Sequence, residues 1–250
     1  MADPFVIEAS GLCKQYELAD ALRGLDLQVP AGSIFGFLGR NGAGKTTTIK
    51  VLLGMARPTS GHVHVLGLPA ERAASSVEIR RRTGFVGEEK ELYDYMTVEE
   101  VIRFTAAFYP RWRVDLESRY LQKFGLPLGQ RVRALSRGMR TKLALLLAFC
   151  RGAELLILDE PTSGLDPAAI EEVLQAIVTH VAGDQLTVFF SSHQIADVEQ
   201  IADRVAIIDR GRTVVAGALD DLRDRYRRVQ LVFGGEAPSV TFRAPGVVWA

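Results

Sequence analysis

Residues Gly39-Arg40-Asn41-Gly42-Ala43-Gly44-Lys45-Thr46 match the pattern G-x-x-x-x-G-K-[ST] at every fixed position, and this match restricts the fold more than any other feature of the chain. The glycines let backbone N–H groups curl around a phosphate with no side chain in the way. A helix opening at Lys45 offers its free amides and the positive end of its dipole to the same anion. The Lys45 ammonium can reach β- and γ-phosphates, and the Thr46 hydroxyl can hold Mg2+. Such a loop works only between a buried strand and a helix. Ile34 to Leu38 is apolar at consecutive residues, as a strand covered on both faces is, and Thr46 to Leu53 reads as a helix stopped by Gly54.

The rest of the chain extends that unit. Phe5 to Ala9, Ala21 to Val29 and Ser33 to Leu38 are β-prone, and Gly61 to Gly67 alternates polar and apolar residues as a half-exposed strand does. From Thr97 the apolar residues Val98, Val101, Ile102, Phe104 and Phe108 recur at helical spacing until Pro110, and a second helix is expected from about Asp115 to Phe124. Leu135 to Cys150, Ala168 to Val181 and Gln194 to Ala202 read as helices. Between and after them, Leu155 to Leu158, Leu186 to Phe190 and Val205 to Ile208 read as strands, the last leading through a turn at Arg210-Gly211 into Thr213 to Ala216. Strands separated by helices, both apolar, predict an α/β domain with a mostly parallel sheet. The block 88–130 reads as a helical insertion, leaving 1–87 and 131–217 as the core and 218–250 as a C-terminal extension. In that extension a charged helix from Ala218 to Arg228 and short strands at Val229–Phe233 and Ser239–Phe242 are expected; the apolar end at Trp249-Ala250 suggests that the natural chain continues or that these strands pair elsewhere.

A second anchor is Leu155-Leu156-Ile157-Leu158-Asp159-Glu160-Pro161. An apolar strand that ends in two carboxylates sets them at the carboxyl edge of the sheet, where α/β proteins bind ligands. Asp159 suits a Mg2+ contact through water; Glu160, pointing elsewhere, can take a proton from an attacking water.

Between and after these anchors come Leu135-Ser136-Arg137-Gly138-Met139, Ser163-Gly164-Leu165-Asp166 and Ser191-Ser192-His193. In order and kind the five motifs resemble the ATP-binding cassette (ABC) ATPases: P-loop (Walker A), signature, D-E-P, S-G-L-D and a switch histidine, over about residues 5–217. The resemblance implies a P-loop NTPase core, an N-terminal antiparallel β subdomain and an inserted helical subdomain. It implies that residues Gly39 to Thr47 hold ATP, Thr47 included, with Tyr16 stacking on the adenine. It further implies that Ser136 and Gly138 grip the γ-phosphate of ATP bound to a second subunit, that Asp166 links the two sites, and that His193 contacts the γ-phosphate beside the catalytic Glu160. A chain with one P-loop would then act as a head-to-tail dimer, most simply a homodimer. Three positions depart from the family pattern: Arg137 for glycine, Met139 for glutamine, and Glu88 where the lid loop, Gly84 to Lys90, carries glutamine. Glu88 can still reach Mg2+ or water but lacks an amide donor, which puts tight coupling in doubt at that position.

Composition limits the partners. Thirty Lys and Arg balance thirty Asp and Glu, so bulk charge gives no reason to expect a nucleic-acid partner. The two cysteines, Cys13 and Cys150, form no C-x-x-C pair and are expected as small buried hydrophobes in a reducing compartment. His62 and His64 share one face of a strand but have no third ligand nearby, and Arg80 to Arg82 and Arg223 to Arg228 read as solvated helix faces, with a lipid or partner contact as the alternative. The N-terminus shows no basic start or apolar run, and no stretch approaches the roughly 18 apolar residues that span a bilayer. The chain is therefore expected to be soluble and cytoplasmic, and the family resemblance implies that it sits at the inner face of the plasma membrane and drives a separate permease, docked on Glu88 to Tyr95 with Leu92, Tyr93 and Tyr95 as apolar anchors. The run from Glu88 to Trp112 is similar to ATPases paired with exporter-type permeases. Two rival readings share the motifs. A soluble repair, chromosome or translation cassette would carry long heptad runs or a second cassette, whereas here about 115 residues without heptads separate P-loop and D-E-P. An ATP-gated regulator without transport would differ in having no membrane partner.

Overall fold

Side chains of a strand alternate between faces, so a strand that is apolar at every position needs a core on each side. The computed structural model describes residues 5–17, 19–184 and 186–225, and the strand- and helix-forming segments follow one another as β1 (Phe5–Tyr16), β2 (Ala19–Pro30), β3 (Ile34–Gly39), α1 (Lys45–Leu52), β4 (Ser60–Val65), β5 (Leu68–Pro69), α2 (Ala73–Arg82) and β6 (Thr83–Val86). Next come α3 (Val98–Ala106), α4 (Val114–Phe124), α5 (Arg137–Phe149), β7 (Leu155–Leu158), α6 (Pro167–Asp184), β8 (Thr187–Ser192), α7 (Ile195–Ile201), β9 (Arg204–Asp209), β10 (Arg212–Ala218) and α8 (Leu219–Arg225). The main sheet runs β10-β9-β3-β8-β7-β6, parallel except for β10, and a second, antiparallel sheet runs β2-β1-β4-β5. The fold is the α/β core with an antiparallel β subdomain that the motifs imply.

β3, β7 and β8 are buried throughout, and alternate residues feed two cores. Ile34, Leu38, Leu156, Leu158, Val188 and Phe190 pack with α3 to α7. Phe35, Phe37, Leu155, Ile157 and Phe189 pack with α1 and the antiparallel sheet, where Phe189 lies 5.9 Å from the ring of Phe35 and 5.2 Å from that of Phe37. In the first core Tyr120 meets Phe124 at 5.3 Å and Phe149 at 4.9 Å, and Phe149 stacks on His180 at 4.2 Å, which fastens α4 to α5 and α6. α3 starts at a full capping box: the Thr97 hydroxyl accepts from the Glu100 N–H while the Glu100 carboxylate accepts from the Thr97 N–H.

Several expectations need correction. Gly84 to Val86, read as part of the lid loop, belongs to a strand paired with β7. That strand has only four residues, and Gly84 leaves no side chain because a Cβ there would lie 2.4 Å from Leu156 Cδ2. α2 escapes the sequence pattern because only Ser76 and Ile79 of its ten residues are buried. β1 runs twelve residues, well past Ala9, through register shifts that break its alternation and leave Cys13 half-buried. Cys150 is buried as expected, and burial, with the Glu117 and Asp115 carboxylates nearby, pushes its thiol up to about 12. The arginines closing α2 do not form a solvated face: Arg82 is bidentate to Glu154 at 2.8 and 2.6 Å and Arg80 donates to the Leu53 carbonyl, so only Arg81 is left to solvent. Arg223 and Arg225 are exposed as expected, Arg223 donating to the Glu199 carbonyl; Tyr226 to Arg228 and the two strands expected beyond them lie outside the described residues.

Phe149 joins α4, α5 and α6, so Phe149→Ala should cost about 3–5 kcal/mol of unfolding free energy in a denaturant titration. A loss below about 1 kcal/mol would mean that this core can close over the gap.

Candidate active site

Strand register brings the motifs to one rim. Leu38 sits beside Ser192, Phe190 beside Leu158, and Leu158 beside Val86. The loop after β3, the acids after β7, His193 after β8 and Glu88 after β6 therefore all leave the sheet at its carboxyl edge, the usual ligand edge of open α/β sheets. Gly44 caps α1 at φ 112°, and a Cβ there would lie 2.8 Å from the Ala21 carbonyl oxygen, so glycine alone lets the loop turn into the helix. A cavity of about 270 Å3 opens over this turn, lined by Asn41, Gly42, Gly44, Lys45, Thr46, Thr47, Glu88 and Glu160. Gly39, Arg40 and Ala43 serve it from behind. Lys45 Nζ donates to the Gly39 carbonyl at 2.7 Å and the Arg40 carbonyl at 3.3 Å, and Ala43 packs into the second core.

The two acids after β7 diverge. Asp159 Oδ1 accepts from Ser191 Oγ at 2.6 Å, and the same Oγ accepts from the Glu160 N–H at 3.0 Å. Glu160 is held at φ 48°, uncommon for a residue other than glycine. The residue is 4% exposed, with Oε1 3.0 Å from Lys45 Nζ and Oε2 2.8 Å from His193 Nδ1. The Lys45 contact is a charge contact more than a directed hydrogen bond, since Oε1 has no partner of good hydrogen-bond geometry. Behind this group Asp197, also buried, accepts from both Thr162 Oγ1 and Ser192 Oγ, joining the loops after β7 and β8.

Thr46, Glu88 and Asp159 border one further groove of about 750 Å3. A hydroxyl and two carboxylates are the hard oxygen donors that Mg2+ takes along with water and phosphate oxygens, so this donor set fits that ion. Among the described residues no three His, Cys, Asp or Glu side chains form a metal cage, and His62 and His64 are simply exposed on β4. Lys90 is half-buried beside the acids: its Nζ donates to the Glu88 carbonyl at 3.0 Å and the Glu160 carbonyl at 3.4 Å. Burial, then the charge of Arg137, brings it down to about 8 against the opposing pull of Glu88, Asp159 and Glu160.

Other sequence candidates lie apart from this cavity. Tyr16 ends β1 with an exposed ring under Lys14 Nζ at 4.8 Å, and it does not line the cavity. Ser136 caps α5 by accepting from the Met139 N–H, and Asp166 caps α6 by accepting from the Ala169 N–H. These two helix starts touch each other. The Arg137 guanidinium occupies the place a Gly164 side chain would take, and a Cβ added at Gly138 would lie 3.5 Å from Ala169 Cβ. Leu92 is partly buried against the core and borders the grooves beside Glu88, whereas Tyr93 and Tyr95 are exposed. Sequence alone assigns no role to Ser191, Asp197 or Lys90; Ser191 stands two residues before the switch histidine, but its role depends on the pairing of β7 with β8.

The family model described as "ABC transporter" matches residues 22–163. The chain is 36% identical over 225 residues to the bacitracin transport ATP-binding protein BcrA of Bacillus licheniformis, an alignment that spans 89% of this chain and 73% of that protein. It is 34% identical over 258 residues to the daunorubicin resistance ATP-binding protein DrrA3 of Streptomyces coeruleorubidus, spanning 100% of this chain and 77% of that one. The fold also superposes on an ATP-binding cassette solved as a post-hydrolysis dimer bound to ADP and Pi, with a TM-score of 0.76, 20% identity, and coverage of 85% of this chain and 98% of that one.

Lys45→Ala should weaken ATP binding about 30-fold or more in a fluorescent-nucleotide titration, the ~2 kcal/mol of one charge-assisted hydrogen bond. Wild-type affinity in a folded Lys45→Ala protein would contradict the phosphate role of this loop.

Proposed function

The chain belongs to the ABC transporter family as an ATP-binding, ATP-hydrolysing motor subunit, and from that premise we propose how its residues divide the work. Residues 39–47 hold the triphosphate, with Asn41, Gly42, Gly44, Lys45, Thr46 and Thr47 facing it and Gly39, Arg40 and Ala43 shaping the loop. Tyr16 offers its exposed ring to the adenine. Thr46 and Asp159, with Glu88 at the rim, would hold Mg2+, which neutralises charge on the phosphate oxygens when bound. Glu160 takes the proton from a water as its oxygen attacks the γ-phosphorus and ADP leaves, and His193 orients that water. The observation that carries this reading is the buried Glu160 carboxylate set between Lys45 and His193 at 3.0 and 2.8 Å. It brings base, phosphate-binding cation and switch imidazole together at one point.

The signature and S-G-L-D turns lie away from this cavity yet against each other, which supports their use on a second subunit's ATP. Ser136 and Gly138 grip the γ-phosphate across a head-to-tail homodimer, and Asp166 links its two sites. The solved post-hydrolysis cassette is itself a dimer, which agrees with this arrangement. The membrane partner in this reading is a separate permease, as the transport ATP-binding relatives suggest; no helix among the described residues is long and apolar enough to cross a membrane. It docks over the groove beside Glu88, where Tyr93, Phe104 and Phe108 form an exposed edge-to-face chain at 5.2 and 5.1 Å and Tyr95 extends it. The names of the bacitracin and daunorubicin relatives favour an exporter, with this subunit peripheral at the cytoplasmic face of the membrane and no nucleic-acid partner.

ATPase rate per chain should rise with protein concentration, and Glu160→Gln should bind ATP, turn it over at least about a hundredfold more slowly and collect as a dimer in size-exclusion chromatography. A Glu160→Gln protein that stays monomeric and active places the base elsewhere.

A further inference from the structure

Lys90 stands in an acidic run, Glu88-Glu89-Lys90-Glu91, on the stretch that follows β6. The three acids are exposed to solvent, but Lys90 is half-buried and turned toward the end of β7. Solvation would favour the opposite arrangement for an ammonium on a surface loop, so its inward position needs a return from specific contacts. The contacts are two main-chain carbonyls from different parts of the chain: Glu88 on the lid loop at 3.0 Å and Glu160 on the turn after β7 at 3.4 Å. Glu160 is also the residue held at φ 48°. Its N–H is tied to Ser191 Oγ at 3.0 Å, and its carbonyl accepts from the Ser163 N–H at 3.2 Å as well as from Lys90. A strained backbone keeps its shape only where its surroundings fix it from several sides. Lys90 is the fixing contact that comes from the lid loop.

We propose that Lys90 is a positioning residue for hydrolysis: one ammonium clips the lid-loop carbonyl of Glu88 to the carbonyl of Glu160, so that the position of the loop sets the aim of the Glu160 carboxylate. The inference rests on Glu160 acting as the base. A general base must lie within hydrogen-bond reach of the water it deprotonates, and small misplacements lower the rate steeply. ATP is held mainly by the loop after β3, so losing the clip affects turnover and spares binding. Arginine also presents a forked cation to two carbonyls, whereas methionine keeps the length and apolar bulk of lysine without the charge.

The test is steady-state ATPase of wild type, Lys90→Met, Lys90→Arg and Glu160→Gln, with ATP affinity measured separately on each. Lys90→Met should lower kcat about tenfold while KM and ATP affinity stay within about twofold, and Lys90→Arg should restore at least about half of the wild-type rate. Wild-type kcat in Lys90→Met, or equal losses in Lys90→Met and Lys90→Arg, would overturn the proposal. Full activity in Glu160→Gln would instead overturn the base assignment beneath it. If Lys90→Met does not fold, the contrast of Lys90→Gln with Lys90→Arg gives the same readout.

Discussion

Glu160 keeps a carboxylate almost wholly out of water, with an ammonium 3.0 Å from one oxygen and an imidazole nitrogen 2.8 Å from the other. Burying either Lys45 or Glu160 alone would cost several kcal/mol, and their pairing offsets much of that. The contact spans three elements: the start of α1, the end of β7 and the end of β8. Whatever moves one of these ends must move the others or break a buried charge pair. A site built this way responds as a unit when a phosphate arrives to compete for Lys45, which is the property a nucleotide-driven motor requires.

The sheet makes that burial possible. Because β3, β7 and β8 are covered on both faces, their carboxyl ends emerge from a buried layer, and short hydroxyl side chains supply the hydrogen bonds at its rim. Ser191 serves Asp159 and the Glu160 backbone together, while Asp197 collects Thr162 and Ser192. Asp159 and Glu160 are adjacent in sequence yet find separate partners, so two like charges coexist at one strand end and can take different tasks.

What can be read from the amino-acid sequence depends on whether the signal is local. The phosphate loop is legible because fixed residue types at fixed spacing follow a continuously apolar strand, and β7 and β8 announce themselves in the same way. β6 is hidden because four residues with a glycine carry no periodicity, and α2 because it buries only two residues. Ser191 and Lys90 need the tertiary pairing: one bridges neighbouring strands, and the other folds back from an acidic run onto a turn 70 residues away. Leu92 shows the same limit, since an apolar residue in a loop reads equally well as an anchor for a partner or for the core, and here it is half-buried against the core at the edge of a groove. Tyr16 is where family resemblance says more than geometry, because its ring stands clear of the cavity.

Two faces follow from this arrangement. One carries the phosphate loop with its buried acid, and the other carries the starts of α5 and α6, which meet where Arg137 lies against Gly164; in the proposed head-to-tail dimer each chain would offer the first to its own nucleotide and the second to its partner's. In the proposed mechanism Glu160 and His193, in contact at 2.8 Å, act on the attacking water as one unit. A double-mutant cycle on kcat for ATP hydrolysis, with Glu160→Gln, His193→Ala and the pair, tests it most directly. Coupled action predicts that the double variant is no slower than the slower single variant. Losses that multiply would show that the two residues work independently and that their 2.8 Å contact has no part in the chemistry.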